Sequence, residues 1–232
     1  MSSNVYLIPC VLDEAATQTI PLYIIDAVKD CQVIFAENER SARRFLKSID
    51  KQIVIDDFEW FAIHKAEEEQ KTIFIQKIKE GKNIAIISEA GCPGVADPGQ
   101  ILIEAAQQLN AVVKPLVGPS SILLALMASG MNGQQFQFIG YLPIEQQERV
   151  NAIKEIEVES KRKNCTQIFI ETPYRNNQLL ETLFKTCKPS TRICIAAELT
   201  SANEFIKTKT VNDWKKEKAD FHKKPVIFLL LA

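Results

Sequence analysis

Short apolar runs of strand length alternate with amphipathic stretches along the chain, and this predicts an α/β protein of two domains. The runs are rich in β-branched residues, and the stretches between them repeat near helical spacing. The pattern breaks once, at "KPLVGPSS" (114–121). The break divides the chain into an N-terminal α/β domain over 1–115 and a C-terminal α/β domain over 116–232. Continuous apolar strands separated by helices argue for a mostly parallel sheet in the first domain, covered on both faces.

In the first domain the strands are expected at "VYLI" (5–8), "QVIFA" (32–36), "QIVI" (52–55), "IAIIS" (84–88) and "AVVK" (111–114). Helices are expected at "PLYIIDAVKD", "NERSARRFLKSI", "KAEEEQKTIFIQKIKEG" and "GQILIEAAQQLN". Gly81 closes the third of these. In the second domain the order is helix "SILLALMAS", strand "FQFIG" (136–140), a charged helix over 144–161 and strand "QIFIE" (167–171). Helix "RNNQLLETLFKTC", strand "RICIA" (192–196), a strand near "EFIKTK", helix "VNDWKKEK" and strand "VIFLLL" complete it. The run "KRKN" (161–164) reads as a solvated loop. Asp97 and Thr172 are placed to cap helices, with Pro98 and Pro173 at the first helical position.

Bulk properties exclude several classes. The chain has 232 residues, 46% of them hydrophobic, which suffices for real cores. Twenty-eight Lys and Arg against 29 Asp and Glu leave a formal charge of −1, so no overall field draws the protein to nucleic acid or anionic lipid. The start "MSSNVYLIPCVLDE" does not read as a signal peptide, and no apolar run reaches the roughly 18 residues that span a membrane. A cytoplasmic protein is expected. Six cysteines without a C-x-x-C spacing, and only two histidines, His64 and His222, predict reduced thiols and no metal site.

The strongest loop signal is "SEAGCPGVADPG" (88–99), with three of the eight glycines, Glu89 and Asp97, and no Lys or Arg. A plain βα turn does not need that length, and in open α/β sheets ligands sit beyond the carboxyl ends of strands. The chain has no G-x-G-x-x-G after the first strand and no G-x-x-x-x-G-K-[ST], so dinucleotides and nucleoside triphosphates are disfavoured. Main-chain groups, small residues and carboxylates suit a neutral or cationic ligand, a description that S-adenosylmethionine fits.

Six segments then fall in the order and spacing of one family: "AENERSARRFLK", "SEAGCPGVADPG", "VGPSSILLALMASGM", "FQFIGYLP", "IFIETPYRNNQLLETL" and "AELT". Over most of its length the sequence resembles the tetrapyrrole-methylase superfamily, within it the branch of small-subunit ribosomal RNA cytidine 2′-O-ribose methyltransferases. The resemblance implies two α/β domains of the tetrapyrrole-methylase type with the ligand cleft between them, a homodimer, and S-adenosylmethionine folded in that cleft. By motif position the cofactor contacts are Pro9, Glu89, Ala90, Gly91, Val95, Ser120, Ser121, Tyr141, Leu142 and Pro225.

Methyl transfer to a ribose hydroxyl needs positioning and a base near the hydroxyl. Glu37, Glu39 and Glu171 are candidates. Glu171 is favoured, because a carboxylate closing an apolar strand is hard to place without a task. Arg40, Arg43, Arg44 and Arg175 can hold RNA phosphates, although Arg40 and Arg44 share a helix face and can equally pair with neighbouring Glu. The chain departs from the family pattern in three places. "IPCVLDE" has no glycine after the first strand, "ETPYR" has Tyr174 where family members tend to have histidine, and "HKKP" replaces a glycine-bearing turn before the last strand. Ribosomal RNA is therefore the expected substrate, with a tetrapyrrole or other small molecule, or cofactor binding without turnover, as the alternatives.

Overall fold

The computed structural model describes residues 3–63, 67–96 and 98–232. It comprises two compact units, Met1–Ser120 and Ser121–Ala232. Each is described by itself.

The first unit is a sheet of β1 (Asn4–Ile8), β2 (Val33–Ala36), β3 (Glu59–Ala62), β4 (Ile84–Ile87) and β5 (Val112–Pro115), in the order β3-β2-β4-β1-β5. Every pairing is parallel. The helices are α1 (Tyr23–Lys29), α2 (Glu39–Ile49), α3 (Glu67–Lys79) and α4 (Gln100–Gln108). Alternate side chains of each strand feed opposite faces. Ile34, Ala36, Ala85 and Ile87 meet Ile24 of α1 and Leu46 of α2, whereas Val33, Phe35, Ile84 and Ile86 meet Phe74 of α3 and Leu102 of α4. That double burial is why the inner strands read as unbroken apolar runs. β1 leads to α1 on one face and its neighbour β4 leads to α4 on the other. The two connections part there, as they do at a ligand-binding crevice of an open α/β sheet.

Two expectations fail in this unit. "QIVI" (52–55) is not a strand: Val54 is 54% exposed, and Ile55–Asp57 forms a 3-10 turn. The edge strand starts at Glu59 instead, held by Phe61 stacked on Phe35 at 5.0 Å. Pro98 does not open α4, which begins at Gln100 after Gly99. Asp97, the expected cap, and His64 lie outside the described residues.

The second unit holds β6 (Phe136–Tyr141), β7 (Thr166–Ile170), β8 (Arg192–Ala197), β9 (Phe205–Thr210) and β10 (Val226–Leu231), in the order β6-β7-β10-β8-β9. β6 and β7 are parallel and the other three pairings are antiparallel. With α5 (Ser121–Ser129), α6 (Gln146–Lys163), α7 (Asn176–Thr186) and α8 (Val211–Trp214), the sheet is again covered. Ile153 and Ile156 of α6, Leu179 and Leu183 of α7 and Trp214 pack on Phe169, Ile195 and Phe228, while α5 packs against β8, β9 and β10.

Three local readings change here. "KRKN" is the last turn of α6 with Asn164 as its left-handed cap, a place where lysines and arginine favour the helix dipole. The helix expected over 211–218 is a single turn, anchored by buried Trp214 donating to the Ile193 carbonyl at 2.9 Å. Thr172 caps no helix. It opens a turn closed by the Arg175 N–H on its carbonyl at 2.9 Å, and α7 starts at Asn176. No helix among the described residues is long and apolar enough to cross a membrane.

A Cβ at Gly118 would stand 2.2 Å from Pro9 Cβ, so the chain after β5 runs directly on the chain after β1. We expect Gly118→Ala to lower stability by about 1–3 kcal/mol through overpacking. Thermal unfolding reads this against Gly133→Ala, where an added Cβ meets nothing within 4 Å.

Candidate functional site

In the first unit β4, β1 and β5 are adjacent, so the segments following them meet at one end of the sheet. The Cys10 N–H donates to the Gly91 carbonyl at 2.8 Å and the Gly91 N–H returns to the Cys10 carbonyl at 3.1 Å. This pair of bonds ties "IPC" to "SEAGCPG". The Cys92 thiol donates to the Pro119 carbonyl at 3.6 Å, adding the segment after β5. Gly94 takes φ +77°, a left-handed conformation that favours glycine, where the loop folds back against Ile103 of α4.

The segment after β2 joins the same loop. Glu37 donates its N–H to the Ile87 carbonyl at 2.9 Å and accepts from the Glu89 N–H through Oε2 at 2.8 Å. Ser41 donates to Glu89 Oε1 at 3.1 Å, and Asn38 caps α2 by accepting from the Arg40 and Ser41 N–H groups. Glu37 is therefore a brace for the loop. Glu39 pairs with Arg43 at 3.6 Å, Arg43 lies 4.5 Å from the Trp60 ring centroid, and Arg44 pairs with Glu14 at 3.6 Å. Arg40 is exposed and has no ion-pair partner among the described residues. Of the expected cofactor residues in this unit, Pro9 and Gly91 are buried, Ser120 is half-buried, and Glu89, Ala90 and Val95 are exposed.

In the second unit β10 runs antiparallel to both β7 and β8, so its start lies beside their ends. Tyr141 and Leu142, Glu171 to Arg175, Glu198 to Thr200 and Pro225 gather at that end, where the Glu198 N–H donates to the Pro225 carbonyl at 3.0 Å. Tyr141 is 60% exposed and Leu142 is buried. Pro225 is exposed, and Ser121 is half-buried at the start of α5.

Glu171 is turned inward, its side chain 1% exposed. Oε1 accepts from the Thr172 N–H at 2.6 Å, from Arg175 Nε at 3.0 Å and from Arg175 Nη2 at 2.7 Å. Oε2 is buried with no hydrogen-bond partner among the described residues. A buried carboxylate oxygen without a donor is an exception in a folded protein and marks an unused acceptor. Arg175 remains 27% exposed and so connects the buried carboxylate to the surface.

Sequence reasoning missed the residues that hold this end together. Asn176 donates Nδ2 to the Phe221 and Lys224 carbonyls at 3.0 and 2.8 Å. Asn177 donates to Asp220 at 2.8 Å and accepts from the Phe221 N–H at 2.9 Å, and the Lys223 N–H donates to the Pro173 carbonyl at 2.9 Å. The Asn177 amide, followed by the His222 N–H, holds the Asp220 carboxyl below its ordinary range. Lys224 pairs with Glu198 at 2.5 Å. The one available signal was the Asn-Asn pair directly after "TPYR". The clefts of about 560 and 330 Å³ in this unit lie elsewhere, lined respectively by residues such as Arg192 and Lys209, and Glu157 and Lys161, which no motif includes.

Comparisons with known proteins identify the family. The family model described as Tetrapyrrole (Corrin/Porphyrin) Methylases matches residues 16–214. The chain is similar to Ribosomal RNA small subunit methyltransferase I of Escherichia coli O157:H7, 33% identical over 174 residues that make up 73% of this chain and 59% of that protein. It is similar to the proteins of the same name from Buchnera aphidicola subsp. Schizaphis graminum, 29% identical over 89% of this chain and 71% of the relative, and from Bacillus subtilis (strain 168), 31% identical over 87% and 66%. The match thus covers about three fifths of the Escherichia coli relative. Among solved structures, the methyltransferase CobJ aligns with all of this chain and 94% of its own at a TM-score of 0.66 and 18% identity. Uroporphyrin-III-C-methyltransferase from Thermus thermophilus aligns with 100% and 93% at 0.57 and 16%. These two share the fold. With its model spanning most of both units, the family is established, and the chain belongs to the tetrapyrrole (corrin/porphyrin) methylases.

Proposed function

We propose that the chain is an S-adenosylmethionine-dependent methyltransferase that methylates a ribose 2′-hydroxyl of small-subunit ribosomal RNA. The observation carrying this reading is the gathering of the motif segments at the carboxyl ends of the strands within each unit, in a chain similar over most of its length to proteins named for that RNA. Residues as distant as Cys10, Gly91 and Pro119 are bonded there.

The residues of the first unit fit the cofactor. From 88 to 99 the loop has no Lys or Arg, and it presents exposed Glu89 and main-chain groups, which suits a sulfonium and an amine better than a phosphate. When bound, S-adenosylmethionine supplies a methyl group on a positively charged sulfur. The chain's own part is to position and to exclude water. Glu89 is set by the Glu37 and Ser41 bonds.

As the ribose oxygen bonds to the methyl carbon, that carbon's bond to sulfur breaks with its electron pair left on sulfur, and the hydroxyl must lose its proton. We assign the proton acceptor to Glu171, whose Oε2 has no hydrogen-bond partner among the described residues. Because Oε2 is buried, this role requires Arg175 to turn toward a substrate phosphate and open the way. Arg40 offers a second cation, whereas Arg43 and Arg44 already face Glu39 and Glu14 at the surface, where such pairs are worth little and are readily exchanged for phosphate. A homodimer belongs to the same proposal: α5 exposes Leu123 and Met127 one turn apart, at 50% and 79%, and sedimentation velocity reads the state.

Calorimetric titration with S-adenosylhomocysteine is expected to show one site per chain, and no binding at millimolar ligand would overturn the cofactor reading. Glu171→Gln should lower methyl transfer to ribosomal RNA by about 10²–10⁴-fold, with the S-adenosylhomocysteine Kd changed by less than about threefold. An equal loss of turnover and cofactor binding removes Glu171 from the chemistry.

A further inference from the structure

The two segments near the end of β7 and before β10 in which this chain departs from the family pattern, "ETPYR" and "HKKP", meet in space. Tyr174 is 70% exposed, with the His222 ring edge-on at 5.9 Å and 73° and Lys223 Nζ 5.9 Å from its ring centroid. We propose that Tyr174, Arg175, His222 and Lys223 form a docking surface for a single-stranded stretch of RNA, in which Tyr174 stacks an unpaired base and the cations take the adjoining phosphates. The proposal rests on the RNA reading above and names how the acceptor is held.

The surface is built rather than incidental. The loops at 172–177 and 220–225 are about 45 residues apart in sequence and are stitched by the Asn176, Asn177 and Lys223 hydrogen bonds described above. The exposed side chains therefore project from a fixed frame, which lowers the ordering entropy on binding. Lys223 and His222 have no ion-pair partner among the described residues, Glu198 is paired with Lys224, and Asp220 Oδ1 accepts from the Asn177 amide and the His222 N–H. Arg175 commits Nε and Nη2 to Glu171 and keeps Nη1 for a further acceptor.

This arrangement matches the chemistry of unpaired RNA. Its bases stack on exposed aromatic faces, and its phosphates are held by Arg and Lys. The chain's net charge of −1 gives no general attraction to RNA, so a local patch of this kind is what an RNA substrate would need. A ribose can also reach a catalytic carboxylate only if its nucleotide is splayed out of a helix. Tyr174 lies three residues from Glu171, where a stacked neighbour would hold such a nucleotide in place.

The test is fluorescence anisotropy of the full chain with a labelled short single-stranded oligoribonucleotide and its duplex, across a salt series, with S-adenosylhomocysteine titrations in parallel. Tyr174→Ala is expected to weaken single-strand binding by about tenfold or more, and Tyr174→Trp to retain it. Lys223→Gln should lower the slope of log affinity on log salt by about 0.7, the share of one phosphate on a single strand. Cofactor-product binding should be unchanged in all three. Full affinity in Tyr174→Ala, or equal affinity for the duplex, would overturn the surface while leaving the RNA substrate standing. Wild-type protein that binds S-adenosylhomocysteine but no RNA would overturn both and leave only the cofactor site.

Discussion

Two main-chain hydrogen bonds between Cys10 and Gly91 decide where the glycine-rich loop of the first unit goes, and much else follows from them. β1 sits between β4 and β5, so the bond pair locks the segment after the central strand to the segment after one neighbour. The Gly118 and Pro9 contact and the Cys92 thiol lock it to the segment after the other. Glu37 and Ser41 then bind the far side of the loop to α2. A loop of this length would be entropically expensive to hold on one anchor. Here it has anchors from three other connections, and its main-chain groups are presented in one conformation.

The second unit solves the same problem with side chains added to single main-chain bonds, from the Lys223 N–H to the Pro173 carbonyl and from the Glu198 N–H to the Pro225 carbonyl. Asn176 and Asn177, at the start of α7, reach the segment before β10, where Asn176 donates to the Phe221 and Lys224 carbonyls and Asn177 accepts from the Phe221 N–H. The buried Glu171 and partly exposed Arg175 link the end of β7 to the surface. A buried carboxylate paired to a single arginine is destabilised when that arginine leaves, unless another group takes its place. In the proposed mechanism, anion binding by Arg175 and use of Glu171 Oε2 would thereby be coupled, each making the other easier.

Most of the fold was legible because burial on both sheet faces writes a strand as an unbroken apolar run, as in "VIFA" and "IAII". The failures share a cause. "QIVI" has the composition of a strand, but the sheet had a better edge in "EWFA", where Phe61 can stack on Phe35 and Trp60 lies on the opposite face. "VNDWKKEK" continues a helical pattern, but only Trp214 finds a core. Prolines 98 and 173 promised helix starts that local turns displaced. Of the site, the loop signal, the strand-end carboxylate and the motif order could be read directly. The stitching of 172–177 to 220–225 could not, since it depends on β10 lying beside β7 and β8, a pairing no local pattern encodes.

That pairing has a further consequence for how the protein is made. β10 occupies the middle of its sheet, yet it is the last strand along the chain. While the ribosome still holds residues 226–231, β7 and β8 have no shared neighbour, and their apolar inner faces and open edges stay exposed. The first unit has every one of its strands by residue 115 and can close much earlier. Folding of the second unit is thus delayed until its final segment emerges, a long-range step of the slow kind. The segment that completes the sheet also brings Lys223 and Pro225 into place, so the surface proposed for RNA would form only as the core of the second unit closes.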